Sequence, residues 1–270
     1  MYALASQPQS IGKILDSGVK LYVAGFKKFI ILSLIGGVAG VLPQLIGFAP
    51  FDPGNPAAGP DLNTIFTYIG VSAVLGILVS ITAYIAVIYR LGGVAAGHET
   101  TMGESIAFGL KRLIPLFFSS ILYTLAVLIG LVLLIIPGLL VMVTLSFFAI
   151  AMVLDGEGPW KSLKRSHNLA WGNWWRIVIL YTVPLVIITV LSFAIMGVFG
   201  TALGLSMPDD PANYEFAIRM QTYLYLIVGF TNGLTYPLLY TIMITLYHDL
   251  KLRKEGGDIA ARMASASATT

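Results

Sequence analysis

The sequence predicts an all-α polytopic membrane protein with six transmembrane helices, and three observations carry that expectation. The 270 residues are 57% hydrophobic, with a mean hydropathy of +0.86. Only 11% are charged, against about 25% in ordinary soluble domains. Six long apolar runs contain no Asp, Glu, Lys, Arg or His, and about 20 apolar residues suffice to cross a hydrocarbon core of about 30 Å. The runs do not alternate, which excludes a transmembrane β-barrel. The absence of cysteine removes disulfide frameworks, thiolate metal sites and cysteine nucleophiles.

In chain order the predicted spans are 29–48, 65–89, 114–136, 139–154, 177–199 and 223–247, within one membrane domain 1–256. The first run starts too late and is too long for a signal-peptide core, and no A-x-A pattern follows it, so no cleavage is expected. The fourth run is short. It follows the third through Pro137-Gly138, a pair that ends one helix and permits a tight reversal, so a hairpin is expected there. A single helix across Pro137 would be about twice the bilayer thickness. The segment 257–270 is mostly small and polar and is expected to be disordered.

Basic residues set the expected orientation, because translocation keeps them on the cytoplasmic side. Lys13, Lys20, Lys27 and Lys28 precede the first span, and Arg90, Lys111 and Arg112 separate the second from the third. Lys161, Lys164, Arg165 and Arg176 separate the fourth from the fifth, and Lys251, Arg253, Lys254 and Arg262 follow the sixth. The other side keeps Arg219 with Asp52, Asp61, Asp209, Asp210 and Glu215. Both termini are therefore expected in the cytoplasm. The pI near 9.0 then reflects topology and attraction to anionic lipid headgroups, worth about 1 kcal/mol per basic residue near the surface. No basic soluble module for nucleic acid is present.

The stretches before the odd-numbered spans each read as a short amphipathic interfacial helix. Ile11, Ile14, Leu15, Val19, Tyr22 and Val23 oppose Lys13, Asp16 and Lys20. Met102, Ile106, Leu110 and Leu113 oppose Glu104 and Lys111. Trp160, Leu163, His167, Ala170 and Trp171 oppose Lys161, Lys164, Arg165 and Asn168. The common order of surface helix, span up and span down suggests an internal pseudo-threefold repeat. A positive-inside rule acting on any six-span chain gives the same basic stretches, and both explanations stand. All four tryptophans, Trp160, Trp171, Trp174 and Trp175, fall in the third unit as expected interfacial anchors.

Small residues let helices approach closely in lipid. Gly36 and Gly40 in the first span, Ser72, Gly76 and Ser80 in the second, and Gly229 and Gly233 in the sixth predict that these three spans meet, within one protomer or across a homo-oligomer seam. No intramembrane aspartate pair, H-E-x-x-H helix, Ser-His pairing or phosphate-binding G-x-x-x-x-G-K-[ST] loop is present. His98, His167 and His248 lack metal-ligand spacing. Neither catalysis nor a metal or other cofactor is therefore expected. The strongest polar features within spans are neutral: Gln44, Thr231 and Asn232, with Pro184 and Pro237 freeing backbone carbonyls. They are a candidate polar path; interhelical bonding and simple kinking are the competing and favoured explanation.

Three stretches carry a family likeness: 10–16 with Leu21-Tyr22; the segment from Pro137-Gly138 through Glu157-Gly158-Pro159, 162–166 and 172–176; and 246–256. They resemble the YciC-like bacterial inner-membrane proteins and the membrane domain of some bacterial glycerophosphoryl diester phosphodiesterases. That resemblance implies topology and a bacterial inner-membrane setting. The phosphodiesterase activity does not follow, since six spans leave no room for a soluble catalytic barrel. His248 and Lys251 stand where the family has Tyr and Arg. Asp249 and Arg253 lie one helical turn apart, and with Asp155, Glu157, Lys164, Arg165 and Glu255 they form a candidate cytoplasmic ionic cluster, serving as a structural lock or a docking surface. The expected function is non-enzymatic: permeation or lipid and small-molecule handling, or alternatively a scaffold that binds anionic lipid or recruits a cytosolic partner.

Overall fold

The computed structural model describes residues 2, 4–46, 62–204 and 214–268. Among them the chain is helical, in the order α1 (Ile11–Gly40), α2 (Leu42–Ile46), α3 (Leu62–Ala96), α4 (Met102–Leu133), α5 (Ile135–Thr144), α6 (Phe148–Leu154), α7 (Pro159–Ala170), α8 (Trp174–Gly204) and α9 (Tyr214–Ala268). Six helical segments are long and apolar enough to cross a membrane: Ile11–Gly40, Gly70–Ala96, Met102–Leu133, Ile135–Leu154, Trp174–Ala202 and Arg219–Gly256. Their outward faces carry uncovered apolar side chains such as Val23, Phe66, Val132 and Phe193, which suits lipid rather than water. The last two residues of the first predicted span, and Asp52, Asp61, Asp209 and Asp210, lie outside the described residues.

Two compact units form. Unit 1 comprises Met1–Phe29, Ile85–Leu185 and Pro237–Thr270, and unit 2 comprises Ile30–Tyr84 and Val186–Tyr236. Every Lys and Arg except Arg219 belongs to unit 1.

In unit 2 the predicted meeting of the first, second and sixth spans is realised, with a register the spacing alone did not give. Gly36 and Gly40 face α3: the Ser80 hydroxyl donates to the Gly36 carbonyl at 3.0 Å, and a Cβ on Gly36 would lie 2.8 Å from that of Ala83. Gly37, one residue on, faces α9, where a Cβ would come within 2.7 Å of the Gly233 nitrogen. The buried Ser33 hydroxyl bonds the Gly233 carbonyl at 2.6 Å. Glycine is required here because two backbones touch.

Unit 1 buries Ile14, Leu21, Phe29, Leu91, Met152 and Tyr247. The hairpin between α4 and α5 turns at Leu134, which is extended (φ −162°, ψ 140°), and not at Pro137-Gly138 as the sequence suggests. Pro137 instead occupies the first turn of α5, where its missing N–H costs nothing. Gly138 presses on α4, a Cβ at Gly130 coming within 2.8 Å of its Cα. The fourth predicted span is interrupted between Thr144 and Phe148, giving α5 and α6.

Of the three expected interfacial helices only α7 is separate. The first two are the opening turns of α1 and α4, which run on into the spans without a break. Between α7 and α8, Gly172 at φ +87° supplies the break. α9 is helical through Ala268.

Candidate functional site

The basic end of α9 is one unbroken helix, so residues four apart share a face. Tyr247, Lys251 and Glu255 form one stripe, and Asp249 and Arg253 form another. Each stripe meets a different partner, and the single predicted cluster resolves into two networks.

The first network centres on Asp155, the C-cap of α6. Its carboxylate accepts from the Tyr247 hydroxyl at 2.6 Å, from Lys251 Nζ at 2.9 Å and from Arg165 Nε at 3.4 Å. Arg165 also pairs with Glu255. Burial works against the charged form of Asp155. The hydrogen bonds from Tyr247 and Lys251 and the charges of Lys251 and Arg165 outweigh it, holding the carboxyl below its ordinary range.

The second network centres on Asp249, whose side chain is 3% exposed. It accepts from Arg253 Nε at 2.8 Å and from the Gln9 N–H at 2.6 Å, and pairs with Arg176 at 3.2 Å. The Gln9 carbonyl in turn accepts from Arg253 at 2.8 Å and from Arg176. His248 Nε2 faces the Ala5 carbonyl at 2.8 Å. The segment 5–9 is thus strapped along α9.

Glu157 and Lys164 do not join either network through their side chains among the described contacts. Glu157 contributes only its carbonyl, which accepts from Arg112, and Lys164 is exposed. Tyr247, Lys251, Arg176 and Gln9 were missed as members. The i, i+4 spacing of Tyr247, Lys251 and Glu255 was the readable signal for the first two. No local pattern links Gln9 or Arg176 to Asp249, since they lie 240 and 73 residues away.

Beside the Asp155 network, unit 1 has a half-open cavity of about 390 Å³. Leu4, Val153, Leu154 and Ile244 supply apolar wall, and Lys251, His248, Thr100 and Asp155 supply the polar side. Its rim at 97–100 is set by the end of α3. Gly97 at φ +74° lets the His98 N–H bond the Gly93 carbonyl at 2.8 Å and the Gly97 N–H bond that of Val94 at 3.3 Å. A side chain on Gly93 would lie 2.9 Å from Thr100 Cγ2. The Thr100 hydroxyl oxygen is buried without a hydrogen-bond partner.

A second polar device closes the break in the fourth span. The Ser166 hydroxyl on α7 donates to the Thr144 carbonyl at 2.8 Å and accepts the Phe147 N–H at 3.0 Å. All three residues are buried, so backbone groups released by the break are satisfied inside protein. The buried face of α7 is Ser162, Leu163, Ser166, Leu169 and Ala170, rotated from the predicted apolar face. Trp160 at 69%, Trp171 at 58% and Trp175 at 63% are exposed, and Trp174 stacks on Trp175 at 4.2 Å between centroids.

The five candidate path residues divide between the units. Gln44, Thr231 and Asn232 belong to unit 2, and Pro184 and Pro237 to unit 1. Gln44 is exposed on α2, and both prolines are buried within helices. The Thr231 hydroxyl bonds its own helix at Ile227 O, 2.8 Å away, and half-buried Asn232 stands beside the Gly233 contact. None of the five lines the 390 Å³ cavity. Among the described residues no group of three His, Asp or Glu is placed to hold a metal ion.

Comparison with known proteins places these features in a family. The chain is 35% identical over 80 residues to a UPF0259 membrane protein of Pectobacterium carotovorum, covering 30% of this chain and 32% of that protein. It is 24% identical over 115 residues to a UPF0259 membrane protein of Photorhabdus laumondii, covering 42% of this chain and 45% of the relative. The matches thus span less than half the length of these curated relatives. No solved structure matches. Residues 1–250 match DUF7847, a domain of unknown function, and the chain belongs to that family.

Proposed function

We propose that this member of the DUF7847 family is a non-enzymatic inner-membrane protein that binds a membrane-derived amphipathic small molecule or lipid at its cytoplasmic end. The observation that carries this reading is the 390 Å³ cavity with an apolar wall and a polar side formed by Lys251, His248 and Thr100. Its size falls within the range of about 300–1,000 Å³ common for ligand sites. The concentration of basic residues in unit 1 supports a cytoplasmic placement of that unit and of both termini. The resemblance to YciC-like proteins agrees with that setting. Permeation is the weaker form of the idea, because Thr231 and Asn232 stand where helices pack rather than along the cavity.

The test is retention of bound amphipaths by purified protein in nanodiscs, read by native mass spectrometry. Ala96 lines the cavity yet is exposed, so Ala96→Phe fills space without disturbing buried packing. Wild-type protein is expected to retain an amphipath that Ala96→Phe loses; equal retention by both would contradict the reading.

A membrane anchor is the second reading, favoured by exposed Trp160, Trp171 and Trp175 beside Lys161 and Lys164. It expects tighter association with anionic than with neutral bilayers, diminished by Lys161→Gln with Lys164→Gln.

A further inference from the structure

We propose that the unit 1 cavity recognises a phosphate group, through the donors that the Asp155 network leaves unspent on Lys251 and Thr100. This rests on the reading of the cavity as an amphipath site and names the chemistry of its polar end. Among the described residues of the cavity wall Asp155 is the one carboxylate, and it already accepts from Tyr247, Lys251 and Arg165. A carboxylate has about four lone-pair positions, so little of Asp155's own acceptor capacity is left for a ligand. Lys251 gives one of its three N–H donors to Asp155. The Thr100 hydroxyl oxygen has no partner. His98 Nδ1 faces the Ala96 carbonyl at 3.1 Å and His248 Nε2 faces that of Ala5 at 2.8 Å, so both rings spend an N–H on backbone.

A site with donors to spare, a fixed ammonium and a nearly saturated carboxylate selects an acceptor-rich anion over a cation or a plain alcohol. The apolar wall of Leu4, Val153, Leu154 and Ile244 fits the first carbons of an attached chain. The same phosphate chemistry is offered by a lipid headgroup and by a small soluble phosphate ester, and chain length separates the two sources.

The experiment measures binding of three probes to the purified full chain in detergent: dioctanoyl phosphatidic acid, dioctanoylglycerol and glycerol 3-phosphate. The expected result is that phosphatidic acid binds about tenfold or more tightly than dioctanoylglycerol, the value of one charge-assisted hydrogen bond. Lys251→Gln is expected to abolish that preference. Thr100→Val, which leaves the ion pairs intact, is expected to reduce it several-fold. Glycerol 3-phosphate binding as tightly as phosphatidic acid supports phosphate recognition with a soluble source, and weaker binding supports a lipid source. Equal affinity for phosphatidic acid and dioctanoylglycerol overturns the phosphate assignment while leaving an amphipath site. A phosphate preference unchanged in a folded Lys251→Gln protein also overturns it. Binding of none of the three removes the amphipath reading itself.

Discussion

Asp249 shows how much one side chain can hold. Its buried carboxylate neutralises Arg176 and Arg253 and takes the Gln9 N–H, so Asp249→Ala leaves two guanidinium groups facing one another without a counter-charge. Removing one partner of a buried pair costs about 3–5 kcal/mol, and loss near that size is expected in thermal unfolding of the detergent-solubilised protein. Limited proteolysis of the variant is expected to cut within 4–10, because the strap loses its anchor; protection equal to wild type would contradict the assignment. Asp155 makes a pH prediction. Its folded carboxyl titrates below the ordinary value, so its stabilisation is fully present above the unfolded pKa of about 3.9. That contribution is lost as pH falls through the depressed folded value. The difference in unfolding temperature between wild type and Asp155→Asn is expected to be constant near neutrality and to shrink on acidification. A difference that grows in acid has the wrong sign for this account.

At the scale of elements, the break between α5 and α6 depends on Ser166. Ser166→Ala strands the Thr144 carbonyl and the Phe147 N–H in a buried place, and an unfolding cost of about 1–3 kcal/mol per unsatisfied group is expected. Close packing of α1 on α9 gives a second contrast. Gly37→Ala forces a Cβ to 2.7 Å from the Gly233 nitrogen and is expected to cost about 1–3 kcal/mol. Gly197→Ala meets nothing within 4 Å and is expected to leave the unfolding temperature unchanged or raise it. These elements also mark what the sequence could tell. Apolar run length located the membrane-crossing segments, because the bilayer imposes it directly. Four-residue spacing located the Asp249–Arg253 pair and the helices that meet. The α7 face that packs on protein was not fully legible, because part of it is made of small hydroxyl side chains that carry no hydrophobic signal. The chain buries Ser162 and Ser166, small enough for close contact and able to bond a broken helix, and leaves Trp160 and Trp171 outside. Gln9 and Arg176 were invisible because their bonds to Asp249 depend on tertiary placement.

At the scale of the whole molecule, a basic unit, a partly polar cavity within it and a set of apolar helices belong to one membrane protein. Six helices crossing the bilayer with the basic linkers in the cytoplasm is the arrangement on which the proposed site depends. The chain contains no cysteine, so single cysteines report their own location without a background. Cysteines at Lys161, Ala96 and Asp209 would be probed in intact cells with a membrane-impermeant maleimide, before and after lysis. The account expects Asp209→Cys to react in intact cells, and Lys161→Cys and Ala96→Cys to react only after lysis. Labelling of Lys161→Cys in intact cells would contradict it.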